Sequence, residues 1–312
     1  MDSVVTLTMN PAIDVSTSIA RVVPIHKLRC ADALRDPGGG GINVARVISR
    51  LGGSVTSIYP IGGISGRLLQ RLVEDEGLAG VTFQVVGETR ESFTVLETES
   101  GAEYRFVLPG PSLAQSEWRQ GLDTLESLSN QTDILVMSGS LPPGLPHDFY
   151  ACAARVAKGR GVKVILDTSG PALAAGLETG LFLIKPNLRE LRELTGEALE
   201  DETSWVAVCS RLVTSGQVEV VALTLGDKGA LLVSRNSTLR APALAINAAS
   251  TVGAGDSFLG AFVWALASGR DLKEAFRYGI AAGSAALLAL GTQLCRHHDV
   301  ERLYSQVIID AL

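Results

Sequence analysis

The run Ser250-Thr251-Val252-Gly253-Ala254-Gly255-Asp256-Ser257-Phe258 sets two glycines and a carboxylate directly before an apolar segment of helical period, about Ser257 to Ala267. A helix opened by such a turn aims unpaired backbone N–H groups at one point and adds the positive end of its dipole. That setting suits a phosphate, or the oxyanion that develops as a phosphoryl group transfers. Asp256, ionised at the edge of this nest, could accept the proton of an attacking hydroxyl. The alternative is an Asp that only caps the helix.

A second glycine run, Pro37-Gly38-Gly39-Gly40-Gly41-Ile42-Asn43-Val44-Ala45-Arg46, also opens a helix. It either lets backbone approach a ligand with no side chain between, with Asn43 offering a donor and an acceptor, or is a mobile loop. Asn10-Pro11-Ala12-Ile13-Asp14 follows the first strand. Asp14 at the carboxyl edge of a sheet could accept two hydroxyls of a sugar, or end the strand in an Asx turn.

Lys185-Pro186-Asn187-Leu188-Arg189-Glu190 has the spacing of a capping box at Asn187 and Glu190. The same pair could hold water around a Mg²⁺ ion, which keeps several of its waters. Thr224-Leu225-Gly226-Asp227-Lys228-Gly229 is a tight turn or the rim of a nucleotide pocket. Lys27, Arg29, Arg90 and Arg105 are the candidates for a phosphate anchor, against the ordinary role of solvated surface charge. Such an anchor must be local, because 27 basic against 33 acidic residues leave a net charge of -6. The whole chain should repel nucleic acid and anionic membranes.

Apolar runs at Val4 to Thr8, Val55 to Tyr59, Asp133 to Met137, Val162 to Leu166, Leu181 to Ile184 and Val218 to Leu223 read as buried strands. Segments of helical period lie between them, so the expected fold is α/β: a mainly parallel sheet flanked by helices on both faces. Residues 17–35 and 89–107 break the rhythm and are expected to form a small antiparallel lid on a main domain of 1–16, 36–88 and 108–312. Cys30, Cys152, Cys209 and Cys295 have no metal spacing and are expected to be reduced and mostly buried. No basic n-region opens the chain and no apolar run is long enough for a bilayer, so a cytoplasmic protein without membrane contact is expected. His297-His298-Asp299 reads as an exposed helix start.

In order and over nearly the whole chain, the Asn10 to Asp14 segment, the Gly38 to Arg46 run, Lys185-Pro186-Asn187-x-x-Glu190 and Thr251 to Asp256 resemble the PfkB family of the ribokinase superfamily. The resemblance implies a ribokinase-like fold and an ATP-dependent kinase, with fructose 6-phosphate phosphorylated at O1 as the expected reaction. Tagatose 6-phosphate and fructose 1-phosphate are the alternative substrates, and a non-catalytic sugar-phosphate sensor is the alternative of another class. Gly40 stands where the fructose-1-phosphate enzymes commonly carry Lys.

Residue by residue, the resemblance implies Asp256 as base and Gly253, Ala254 and Gly255 as anion hole. Asp14, Gly39, Gly40, Asn43, Gly139 and Ser140 would line the sugar, with Lys27, Arg29, Arg90 and Arg105 on its phosphate. Lys185, Asn187, Thr224, Gly226, Gly229 and Thr251 would meet ATP, and Glu190 would place Mg²⁺ through water. Ser250, Val252, Ala286 and Gly291 would form a K⁺ loop, departing from relatives at Ala289 and Gln293, where those carry Asn and Arg. A homodimer through the lid is implied.

Overall fold

The computed structural model describes residues 1–128, 131–248, 250–289 and 291–312. The chain runs β1 (Val4–Leu7), β2 (Ala12–Ile19), β3 (Leu34–Gly38), α1 (Gly40–Arg50), β4 (Val55–Ile61), α2 (Gly63–Asp75), β5 (Ala79–Gln84), β6 (Arg90–Glu97) and β7 (Glu103–Val107). Then follow α3 (Gln115–Leu128), β8 (Ile134–Ser138), α4 (Phe149–Lys158), β9 (Lys163–Asp167), α5 (Gly170–Leu177), β10 (Leu181–Ile184), α6 (Leu188–Thr195), α7 (Glu202–Thr214) and β11 (Val218–Thr224). The last third holds β12 (Ala230–Ser234), β13 (Thr238–Ala241), α8 (Ala254–Ala267), α9 (Leu272–Ala286), α10 (His297–Tyr304) and β14 (Asp310–Ala311).

Ten strands form one sheet in the order β14-β13-β12-β11-β10-β9-β8-β1-β4-β5. From β5 to β11 every neighbouring pair is parallel. Helical crossovers return the chain to the same end each time, which imposes that direction. β11 reaches β12 through a tight turn at Gly226–Lys228, so that pair is antiparallel, as are β12–β13 and β13–β14.

Alternation along the strands feeds two cores. Val4, Ile134, Val136, Val220 and Ala222 pack with residues of α1, α2, α8, α9 and α10. Val5, Leu7, Leu135, Met137, Val221 and Leu223 pack on the other face with residues of α3 to α7. A sheet covered on both faces explains why these strands read as continuous apolar runs.

The second sheet has the order β3-β2-β6-β7. Its outer pairs are antiparallel, as expected, but the central pair β2–β6 is parallel. Both strands leave the body at the same end, so they enter the lid in the same direction. The lid also begins earlier than residue 17: β2 starts at Ala12, and Asp14 lies within that strand rather than at the carboxyl edge of the main sheet. Two of the four free cysteines, Cys209 and Cys295, are buried, while Cys30 is exposed and Cys152 half-buried, so the expectation of mostly buried thiols holds for that pair only. His297 and His298 do open an exposed helix. Among the described residues no helix is long and apolar enough to cross a membrane.

Candidate active site

Strands β8, β9, β10 and β11 are neighbours whose carboxyl ends face one side, where ligands gather in open α/β sheets. Ser138, Asp167, Lys185 and Thr224 stand at or just past those ends. The lid closes the same side by register. Ala12 pairs with Arg90, Asp14 with Ser92, and Ser92 with Val107. Steps of two along each strand therefore put Asp14, Arg90, Ser92, Arg105 and Val107 on one face of the lid.

That face roofs a cavity of about 330 Å³, with Gly39, Gly40, Asn43, Gly139, Ser140, Lys185, Glu190 and Asp256 among its walls. A second cavity of about 530 Å³ runs against β11 and α9, lined by Thr224, Gly226, Gly229, Thr251, Ala254, Gly255 and apolar Phe258, Ile280 and Leu287. The two share the first turn of α8: Gly255 borders the second cavity and Asp256 the first.

The helix α8 starts at Ala254, three residues before the expected Ser257, so Asp256 is inside its first turn. Gly253 caps it at φ 74°, a left-handed conformation that glycine adopts without strain. At Gly255 a Cβ would come within 3.2 Å of Lys185 Nζ, so the absent side chain keeps that ammonium beside the helix end.

The first glycine run opens α1, as expected, but the room its glycines leave is taken up mainly by protein. A Cβ at Gly40 would collide with the Ser138 hydroxyl, and Gly39 is held at φ 111° against Pro11 and Thr8. The run joins α1 to the ends of β1 and β8 and so brings Asn43 into the cavity, where its Nδ2 donates to Asp256 Oδ2 at 2.8 Å.

Burial pushes Asp14 up to about 6, with Arg105 opposing the rise and Asp256 adding to it. Asp256 is also raised, first by burial and next by Asp167, against the pull of Asn43, Lys185 and Arg105. Burial acts to lower Lys185, yet Asp167, Asp256 and Glu190 hold it above its ordinary value. Its Nζ stands 3.2 Å from Asp167 Oδ1. Arg90 is lowered by burial, opposed by Asp14; its Nη1 and Nη2 donate to the carbonyls of Leu108 and Asn10 at 3.0 and 2.9 Å.

Asn187 and Glu190 form the capping box. Asn187 Oδ1 accepts from the Glu190 N–H and Glu190 Oε2 from the Asn187 N–H, both at 2.9 Å. Glu190 still borders the lid cavity, whereas Asn187 lines neither cavity, its side-chain oxygen being spent on the cap. Lys27 and Arg29 are exposed and line neither. Ser140 Oγ accepts from Asn10 Nδ2 at 3.2 Å, and the Gly139 carbonyl accepts from Tyr150 and Thr168, each at 3.0 Å.

Ser250 N–H reaches the Leu287 carbonyl at 3.5 Å, joining the loop that holds Ser250 and Val252 to the end of α9, whose last residue is Ala286. The Ser250 hydroxyl donates to Glu103 Oε1 of the lid at 2.9 Å and accepts from Val252 N–H at 3.1 Å. Sequence reasoning passed over Asp167 and Glu103, whose signals are only positional: one ends a strand, the other begins one.

A family model described as pfkB family carbohydrate kinase matches residues 3–299, and the chain belongs to that family. It is 44% identical over 301 residues to ATP-dependent 6-phosphofructokinase isozyme 2 of Mycobacterium tuberculosis strain CDC 1551 / Oshkosh, covering 96% of this chain and 88% of the relative. Crystal structures of phosphofructokinase-2 from Escherichia coli, in complex with potassium and with fructose-6-phosphate, both match with a TM-score of 0.93. They are 39% and 38% identical to this chain, and each match covers 98% of it and 99% of the other. The fold is ribokinase-like: ribokinase from Thermotoga maritima matches with a TM-score of 0.77 at 25% identity, over 98% of this chain and all of that one.

Proposed function

We propose that this chain transfers the γ-phosphoryl group of ATP to O1 of fructose 6-phosphate, giving fructose 1,6-bisphosphate. One observation carries the reading. A charged cavity sized for a sugar phosphate and a larger apolar one meet at the N-terminus of a helix, with a carboxylate at the junction. Relatives named for this reaction, and a neighbour in complex with fructose-6-phosphate, support it.

The adenine lies along Phe258, Ile280 and Leu287, with Thr224, Gly226, Gly229 and Thr251 at the rim. The sugar lies under the lid on Asp14, Gly39, Gly40, Asn43, Gly139 and Ser140, its phosphate on Arg90 and Arg105. Asp256 takes the proton of the O1 hydroxyl as O1 bonds to the γ-phosphorus and the bond to the β,γ-bridging oxygen breaks. Burial that raises Asp256 makes it a stronger base once ionised. The Gly253, Ala254 and Gly255 N–H groups and Lys185 meet the charge on the transferring group. Lid closure excludes water, which would otherwise hydrolyse ATP. Lys27 and Arg29 remain lid charges that this chain's own cavity does not use, and Asn187 acts through its cap on Glu190.

Among the described residues no group of three or more His, Cys, Asp or Glu could hold a metal. The donor set therefore fits a Mg²⁺ ion carried on the nucleotide phosphates and its own waters, with Glu190 as an outer carboxylate. When bound, Mg²⁺ neutralises phosphate charge. The Ser250 loop lies against the end of α9, so that Ser250, Val252, Ala286 and Gly291 are the residues that would hold K⁺, which the Escherichia coli neighbour binds. Exposed Phe93, Tyr104 and Phe106 of the lid support a homodimer through that sheet. Four free thiols and the need for ATP fit a cytoplasmic setting.

The test is a coupled assay with ATP and each of fructose 6-phosphate, fructose 1-phosphate and tagatose 6-phosphate. The expected result is a kcat/KM for fructose 6-phosphate at least about tenfold above the others. A higher value for another sugar renames the substrate, and no turnover with any leaves a sensor.

A further inference from the structure

Arg46 takes no part in the chemistry above, yet it is among the largest fully buried side chains of the molecule. A guanidinium in that position must have its charge and its donors met. Nε and Nη2 donate to Glu76 Oε1 at 3.0 and 2.7 Å, and Nη2 also reaches Asp36 Oδ1 at 3.2 Å. Asp36 and Glu76 balance the charge of two guanidiniums, since Arg50 Nη2 also donates to Glu76 Oε1 at 2.9 Å. Nη1 turns the other way, to the Pro37 carbonyl at 3.0 Å and to Asn43 Oδ1 and the Thr292 carbonyl at 3.4 Å each.

Asn43 lies three residues before Arg46 on α1, and its Nδ2 donates to Asp256 Oδ2 at 2.8 Å. A carboxamide has one donor end and one acceptor end. While Arg46 holds Oδ1, the donor end is the one that faces Asp256. Released, the amide can turn over and set its oxygen against the carboxylate, acceptor against acceptor. Asp256 is faced by Asn43 from α1, Arg105 from β7, Asp167 from β9 and Lys185 beyond β10, with Asp14 from β2, Arg90 from β6 and Glu190 from α6 in the same cavity. Of these, Asn43 is the one that Arg46 touches.

We propose that Arg46 is a positioning residue for the proton acceptor: it fixes the Asn43 amide with its N–H end on Asp256 and so keeps that carboxylate ionised. The inference rests on the reading of Asp256 as the base. The Asn43 contact pulls Asp256 down against burial, the direction the proposal requires. Arg46 also lowers Asp14 directly, so an effect through Asn43 must be separated from one through Asp14.

The experiment is a double-mutant cycle on the whole enzyme, with Arg46→Lys, Asn43→Ala and both together, read as kcat, KM and the acid limb of kcat against pH. Lysine keeps a cation for Glu76 and Asp36 but lacks the fork that also reaches the amide. In Arg46→Lys the acid limb of kcat should move up by about one pH unit, so that kcat on that limb falls about tenfold, with KM for the sugar phosphate within about twofold. In the Asn43→Ala background the same change should add no further shift. Glu76→Gln, which leaves Arg46 in place but loosens it, should move the limb the same way by less, and it serves if Arg46→Lys does not fold. An unmoved acid limb in the folded variant, or an equal shift with and without Asn43, overturns the proposal. Asp256→Asn separates the two failures. If it is inactive while the limb stays put, only the role of Arg46 is lost; if it turns over normally, the base assignment falls and this inference with it.

Discussion

Among the described residues, the cavity against β11 and α9 carries Asp227 as its one charged lining residue, whereas the cavity under the lid holds Asp14, Arg90, Arg105, Asp167, Lys185, Glu190 and Asp256. The first is built on turns, backbone and apolar shelf. The second is built on side chains whose protonation depends on one another. A nucleotide site of the first kind recognises by shape and should be insensitive to pH. A sugar-phosphate site of the second kind gains strong charge-assisted contacts and becomes pH-dependent in return. Asp256 stands where the two meet, so substitutions on either side should separate in kinetics.

The largest effect is expected at the junction. Asp256→Asn should lower kcat by about 10³-fold or more while sugar-phosphate binding, measured by calorimetry, changes little. Normal turnover would remove the base.

Next is the lid. Arg90→Ala or Arg105→Ala should raise KM for the sugar phosphate by roughly 10- to 100-fold, the worth of a hydrogen bond to a charged group, and leave KM for ATP within about twofold. Equal changes in both constants would show that the two cavities are not independent.

Asp14 gives a smaller effect with a definite sign. Its folded value of about 6 lies above the ordinary 3.8, so the folded chain binds this proton more tightly than the unfolded one. The stability it contributes is present below about pH 4 and is lost as pH rises through about 6. Without substrate, Asp14→Asn should therefore stabilise the protein at pH 8 by up to about 3 kcal/mol, with the gain shrinking toward pH 4. Melting curves at the two pH values check it, and a destabilised variant at pH 8 would contradict the burial argument.

The smallest effect belongs to the proposed nucleotide rim. Gly226 sits at φ 61° with open space where a Cβ would go. Gly226→Ala should cost about 1 kcal/mol of left-handed strain and raise KM for ATP a few-fold, with the sugar constants unmoved.

The same contrast explains what could be read in the sequence. Strands β1, β4, β8, β9, β10 and β11 were legible because a sheet covered on both faces writes itself as apolar runs, and Gly253 to Asp256 because the turn demands small residues beside one acid. The edge strands β5 and β14 and the four-residue β13 were not, since exposed or short strands have weak alternation; interior β12 and the start of β2, though largely buried, were passed over because each directly follows a turn and reads as part of it. The partner of Lys185 lies 18 residues earlier, at the end of another strand, and nothing local in Asp167-Thr168-Ser169 marks it. Arg46 looks like any charge on an amphipathic helix until Asp36 and Glu76 fold around it. Lys27 and Arg29 show the converse: basic lid residues by composition, they line neither cavity of the chain.

The central claim is geometric, and a crystal structure with fructose 6-phosphate and a non-hydrolysable ATP analogue tests it most directly. The sugar O1 should lie about 3 Å from an Asp256 carboxylate oxygen and in line with the γ-phosphorus above the α8 N-terminus. An O1 hydroxyl turned toward Asp14, or a γ-phosphate away from Gly253 to Gly255, would contradict it.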